Sequence, residues 1–143
     1  MMATADQVVA AARSYMGVRW HHQGRSRAGL DCAGLIICVA RDLGLTAFDV
    51  GGYGTSPDGR MSQILRAQCI AQAPGTEPEP AMVAEIRFER EPQHVALIVP
   101  YHLGGVALLH AMSRFPRRVT EHRLDAEWRR KIVALYRLPG VEY

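Results

Sequence analysis

Residues 31–35, Asp-Cys-Ala-Gly-Leu, set a cysteine directly after an acidic residue suited to cap a helix, at the first turn of an apolar segment. A thiol placed there feels the partial positive charge of a helix N-terminus and its unpaired N–H groups, both of which favour the nucleophilic thiolate. The carboxylate of Asp31 opposes that shift, so a nucleophile at Cys32 requires a base, and histidine is the side chain suited to the task. Of the six histidines, His94 and His110 stand apart. They lie in strand-like runs, 94–101 and 105–112, joined by a turn around Tyr101-His102-Leu103-Gly104-Gly105 that makes an antiparallel hairpin the natural connection. If Val99 pairs with Gly105, His94 falls directly opposite His110. Any even shift of register keeps the two on one face, beside Ala96, Ile98, Val106 and Leu108. Two imidazoles side by side, facing the helix that carries Cys32, would supply a base and a group that orients it.

The remaining candidates read differently. A lone strand histidine is ordinarily a packed or a surface residue, and the shared face is what lifts this pair above that reading. His102 in a turn and His122 on a late strand beside Arg123 read as surface residues. His21 and His22 form no metal-ligand spacing with one another or with the cysteines, so no metal is expected. Cys38, on another face of its helix from Cys32, and Cys69 read as small core residues.

The elements that must hold these groups follow from periodicity. Residues 4–16 predict a helix, with Thr4 and Gln7 at capping-box spacing, Val8, Ala12, Tyr15 and Met16 on one face, and Gly17 as the stop. A polar, glycine-bearing loop over 18–29 leads to a second helix from Asp31 to Gly44, with Leu35, Ile36, Val39 and Leu43 as its buried stripe. Residues 45–59 are turn-rich. Residues 60–72 can form a short third helix with Met61, Ile64 and Leu65 inward, and 73–80 is a proline-rich loop. From Met82 the period becomes that of strands, with runs over 82–88, 94–101, 105–112, 117–124 and 131–138, and the last residues read as a frayed tail. Helices first and strands afterwards predict one α+β domain over 1–143, its helices packed on a mainly antiparallel sheet of about five strands.

Composition narrows the function classes. At 143 residues with 48% hydrophobic content, the chain is long enough for a single core. Its apolar runs are far short of the ~20 residues that cross a bilayer, and its start lacks the pattern of a secretory signal. Synthesis in the cytoplasm without a signal peptide, and no membrane partner, are therefore expected. Three cysteines, an odd number, argue against a disulfide scaffold. The net charge of +3 comes with arginines concentrated late in the chain. They are not interleaved with aromatics, so they read as a solvated basic face and not as a nucleic-acid surface.

The stretch from Gly17 to Leu35 resembles, without gaps, the active-site stretch of the NlpC-type cell-wall cysteine peptidases, which runs Gly, Tyr-x-Trp-Gly-Gly and Asp-Cys-Ser-Gly-Leu. Pro92-Gln93-His94-Val95 resembles the family's histidine-bearing strand, and Leu108-Leu109-His110-Ala111 the strand of its third catalytic residue. The chain is most similar to short single-domain versions encoded among phage tail genes. The resemblance implies a papain-like fold, with Cys32 as nucleophile, His94 as general base and His110 fixing the imidazole. It implies hydrolysis of an amide in peptidoglycan stem peptides, typically D-glutamyl to diaminopimelate, with no cofactor. The Cys32 N–H would serve the oxyanion, with Trp20 and Asp31 as the substrate-binding or oxyanion candidates. Three positions depart from the family pattern: Trp20 stands for its tyrosine, His22-Gln23-Gly24 for Trp-Gly-Gly, and Pro80-Ala81-Met82 for Pro-Gly-Asp. Two readings follow, a wall endopeptidase mounted on a phage-type tail or a tail-tip structural subunit that binds neighbouring tail proteins. A cysteine acyltransferase on the same fold is a third.

Overall fold

The computed structural model of the protein describes residues 2–45, 59–88 and 94–143. Most of the turn-rich segment expected at 45–59, and the turn over 89–93, lie outside these residues.

Helix α1 spans Ala5–Arg13. Thr4 accepts from the Gln7 N–H while the Gln7 side chain accepts from the Thr4 N–H, the reciprocal capping box expected from the spacing. The helix stops three residues earlier than expected because its last turn tightens: Tyr15 and Met16 donate to Ala12 and Arg13, three residues back. Val8, Ala12 and Tyr15 are buried, whereas Met16 is exposed.

A short hairpin follows, β1 (Ala3–Thr4) having preceded α1, with β2 (Arg25–Ser26) and β3 (Gly29–Leu30) antiparallel. Helix α2 spans Cys32–Asp42, capped by Asp31. At its end Leu45 donates to Ala40 and Gly44 to Arg41, a Schellman closure for which the left-handed backbone of Gly44 (φ +68°) is required. Every residue from Gly34 to Ala40 is buried. The helix is thus central and covered nearly all round, rather than exposing the polar face that a single stripe would imply.

Helix α3 (Arg60–Gln68) buries only Leu65, with Met61 and Ile64 partly covered. The main sheet has six antiparallel strands in the order β4-β9-β5-β6-β7-β8. These are β4 (Ile70–Ala71), β5 (Val83–Ile86), β6 (His94–Pro100), β7 (Val106–Ala111), β8 (Val119–Arg123) and β9 (Ile132–Arg137). The five expected runs are all present. The sixth, β4, was hidden at the end of the third helical run because two residues carry no periodicity.

Two further differences have clear causes. Ahead of β9 lies α4 (Ala126–Lys131), capped by Asp125, which accepts from the Trp128 N–H at 2.9 Å. Its signals, an acidic first turn and Arg129-Arg130-Lys131 in the last, are those of a dipole-matched helix too short to show a period. The C-terminal residues do not fray. After a turn at Gly140, β10 (Val141–Glu142) pairs in parallel with β1, and the Tyr143 hydroxyl donates to the Ala81 carbonyl at 2.8 Å.

Strand alternation divides the apolar residues into two cores. Val95, Leu97, Val99, Ala107, Leu109 and Ala111 pack under α1 and α2. Ala96, Ile98 and Leu108 pack on the opposite face with Met82, Ile86 and Leu124, under Phe88 and Trp128.

Candidate active site

In the β6–β7 ladder Leu97 pairs with Leu109 and Val99 with Ala107. Relative to the pairing of Val99 with Gly105, the register has moved by two. That even shift leaves His94 and His110 on one face, and the His94 Nε2 lies 2.7 Å from the His110 Nδ1. The face is not the expected one. Both rings lie on the side away from α2, with Phe88 5.2 Å from the His94 ring and Trp128 edge-on at 5.3 Å from His110. Parity fixes which residues share a face but not which layer covers it.

Cys32 packs against the core under α1 and α2 and meets β6 at its first residues. Ile98 exchanges hydrogen bonds with Ala81 and Met82 on the β5 side, so alternation turns the Val95 N–H toward β7. Pairing with β7 begins only at Leu97. The Val95 amide instead donates to the Cys32 sulfur, as do the amides of Ala33 and Cys32 at the helix start. The thiol is therefore held beside the first residues of β6, one residue from His94. With Nε2 committed to His110, Nδ1 is the His94 nitrogen left for the thiol.

Electrostatics set the resting state. Burial, then the adjacent Asp31 carboxylate, push the Cys32 thiol up to about 12, outweighing the three amides. Burial, then the His122 and Arg114 charges, pull His94 down to about 4, and His110 is held well below its ordinary value mainly by burial. The pair rests as neutral thiol and neutral imidazole rather than as the thiolate a helix end alone would favour. His94 is 6% exposed and His110 fully buried. In the unfolded chain His94 takes a proton near its ordinary value of about 6.5, but in the fold only near 4. Between those limits the unfolded state binds more protons, so stability is full above the window and is lost as pH falls through it. We expect the His94 ring resonances to titrate near pH 4, and unfolding free energy from urea to be on the order of 2 kcal/mol lower at pH 5 than at pH 7 from His94 alone. A midpoint near 6.5 would contradict this account.

Asp31 is turned inward. Its carboxylate accepts from the Gly34 N–H at 2.8 Å and the Gln23 N–H at 2.9 Å, and pairs with Arg25 at 3.0 Å. It is 4% exposed and holds loop and helix together. Trp20 lies beside Leu30 through a parallel bridge, its ring stacked on His22 and under the Arg117 guanidinium. The departures from the family pattern fall on demanding backbone. Gln23 (φ 59°) and Ala81 (φ 74°) both occupy the left-handed region that glycine enters without the ~1–2 kcal/mol cost of a side chain. The Asp31 carboxylate holds the first and Tyr143 the second.

His122 was misread as a surface residue. The β7–β8 register pairs Leu108 with His122 and His110 with Thr120, so His122 shares the face of His110, and the two Nε2 atoms lie 2.8 Å apart. The parity argument, carried one strand further, would have found it. The ring nitrogens point at one another and not at a common centre, as a metal site would need.

Beside Trp20, a cleft of about 740 Å³ is lined by Arg19, Arg27, Arg117 and Arg118. Among the described residues none of the four pairs with an acidic side chain. Arg27 stacks on Tyr15 and Arg117 on Trp20, which holds both guanidiniums in place.

Comparison with solved structures matches this arrangement of helices and sheet. The NlpC/p60 domain of the peptidoglycan hydrolase SagA superposes with a TM-score of 0.59 at 19% identity, over 94% of this chain and 98% of that domain. The fold is that of the NlpC/P60 domain. An NlpC/P60 family protein from Bacillus cereus ATCC 10987 gives a TM-score of 0.68 at 15% identity over 96% of this chain. An NLP/P60 family protein described as similar to lipoprotein, from Staphylococcus aureus subsp. aureus Mu50, gives 0.63 at 15% over 97%. The chain spans 41% and 42% of those two proteins, respectively. No family model and no curated protein matches the sequence.

Proposed function

We propose that this NlpC/P60-fold protein is a cysteine endopeptidase of peptidoglycan stem peptides, acting through Cys32, His94 and His110. The observation that carries the reading is the hydrogen bond from one buried imidazole to the next at 2.7 Å, beside a thiol held at the end of the same strand. As the Cys32 sulfur attacks an amide carbon, its proton passes to the His94 Nδ1, so the neutral resting pair becomes charged only during reaction. As the sulfur moves onto that carbon, the Cys32 N–H from which it accepted turns to the developing oxyanion. Collapse of the tetrahedral species transfers that proton to the leaving amine. Water, deprotonated by His94, then attacks the thioester and releases the acid and the free thiol. The arginine-lined cleft beside Trp20 suits an acidic substrate, as D-glutamyl and diaminopimelyl stems are, and the SagA domain belongs to a peptidoglycan hydrolase.

Delivery on a phage-type tail is part of this proposal and rests on the resemblance of the sequence. Purified diaminopimelate-type sacculi incubated with the protein are expected to release soluble peptides whose masses show cleavage after D-glutamate. Folded protein that releases nothing would overturn the reading and favour a tail-tip structural subunit.

A further inference from the structure

The imidazoles form a chain whose far end determines its proton order. The His122 Nδ1 lies 3.1 Å from the Arg123 carbonyl oxygen. A carbonyl only accepts, so that nitrogen carries the hydrogen, and the Nε2 of a neutral His122 is a lone pair. The His110 Nε2, 2.8 Å away, must then donate. The neutral His110 ring is left with a lone pair on Nδ1, and it accepts from the His94 Nε2–H across 2.7 Å. The His94 Nδ1, the nitrogen not engaged with His110, is thereby left unprotonated. The opposite order would set a lone pair on His122 against the carbonyl and would put a hydrogen on the very nitrogen that must act as base. Trp128 packs against the middle ring and the far one, 5.3 Å from His110 and 4.8 Å from His122, and holds them in line.

We infer that His122 is a positioning residue, anchored on the Arg123 carbonyl, that sets the tautomers of His110 and His94 and so keeps the His94 Nδ1 free to take the Cys32 proton. This rests on the proposed Cys32–His94 chemistry, and its test does not depend on the wall substrate. In ¹⁵N-labelled protein near neutral pH, the Nδ1 atoms of His94 and His110 and the Nε2 of His122 are expected to show unprotonated, pyridine-type shifts. His122→Phe keeps a ring against Trp128 and removes the acceptor. It is expected to mix or invert the His110 and His94 tautomers and to slow alkylation of Cys32 by iodoacetamide about tenfold. His122→Gln restores an acceptor, and is expected to recover both the tautomers and most of the rate. A hydrogen on the His94 Nδ1 of the unaltered protein, or unchanged tautomers and rate in His122→Phe, would overturn the inference. If His122→Phe does not fold, the unaltered protein and His122→Gln still decide it. Inactivity on sacculi with the expected tautomers would count against the proposed substrate and not against the chain.

Discussion

Replacing Cys32 by alanine is expected to lower the rate of peptide release from sacculi by about 10⁴ or more, while the protein stays folded. The sulfur is the group that forms the covalent bond, and no other described thiol can substitute. Cys38, on α2, is fully buried, and Cys69 is buried in the same core. Losses of this size are characteristic of a nucleophile that acts as a unit with its base. Cys32→Ser should be nearly as inactive, because His94, held down to about 4, is a weak base for a hydroxyl, whose proton is far harder to remove than a thiol's. Stability should change little, since the substitution removes a single sulfur atom and leaves Asp31 and the cap of α2 in place. Release rates for the three proteins, with circular dichroism to establish folding, decide the matter. Undiminished release by Cys32→Ala would place the nucleophile elsewhere.

The second large effect concerns stability. Gly34→Ala is expected to destabilise the protein by about 3 kcal/mol, the upper range for forcing extra volume into a packed site, which lowers the melting temperature by roughly 10 °C for a chain of this size. In an open helix the same change would stabilise by ~1 kcal/mol, because alanine is the better helix former. Here a Cβ would fall onto the Gly24 carbonyl oxygen, with the Arg25 Nη1 and the Asp31 Oδ1 each at 3.1 Å. The obstruction is backbone, so no rotamer change relieves it. To make room, the loop carrying Gln23 and Arg25 must lift from the first turn of α2, loosening the contacts of both with Asp31. The thiol would lose its fixed approach to β6 along with them. Thermal unfolding of the variant beside the unaltered protein checks this, and a melting temperature unchanged or raised would show that the loop yields freely.

Those two positions mark what was legible before the fold was known. The Asp31-Cys32 cap, the Thr4–Gln7 capping box and the five long strand runs are local features, set within a few residues by hydrogen-bonding geometry and side-chain period. The sharing of a face by His94 and His110 belongs with them, because a period of two survives any even slip of register, and the slip from Gly105 to Ala107 opposite Val99 was even. Other features depend on residues distant in sequence. Which face α1 and α2 cover, and hence that the histidines lie on the other, follows from how the layers bury their apolar surface. The late onset of β6–β7 pairing, which gives the Val95 amide to Cys32, depends on where two strands diverge. The neutral resting state of the site comes from desolvation, which no motif encodes. The return of the C-terminus to pair with β1 was invisible because a two-residue strand has no pattern of its own. By itself the sequence determined the chemistry available and the parity of its bearers. Tertiary packing decided how buried these groups are and what lies behind them, because burial and contact are properties of the folded chain and not of spacing along it.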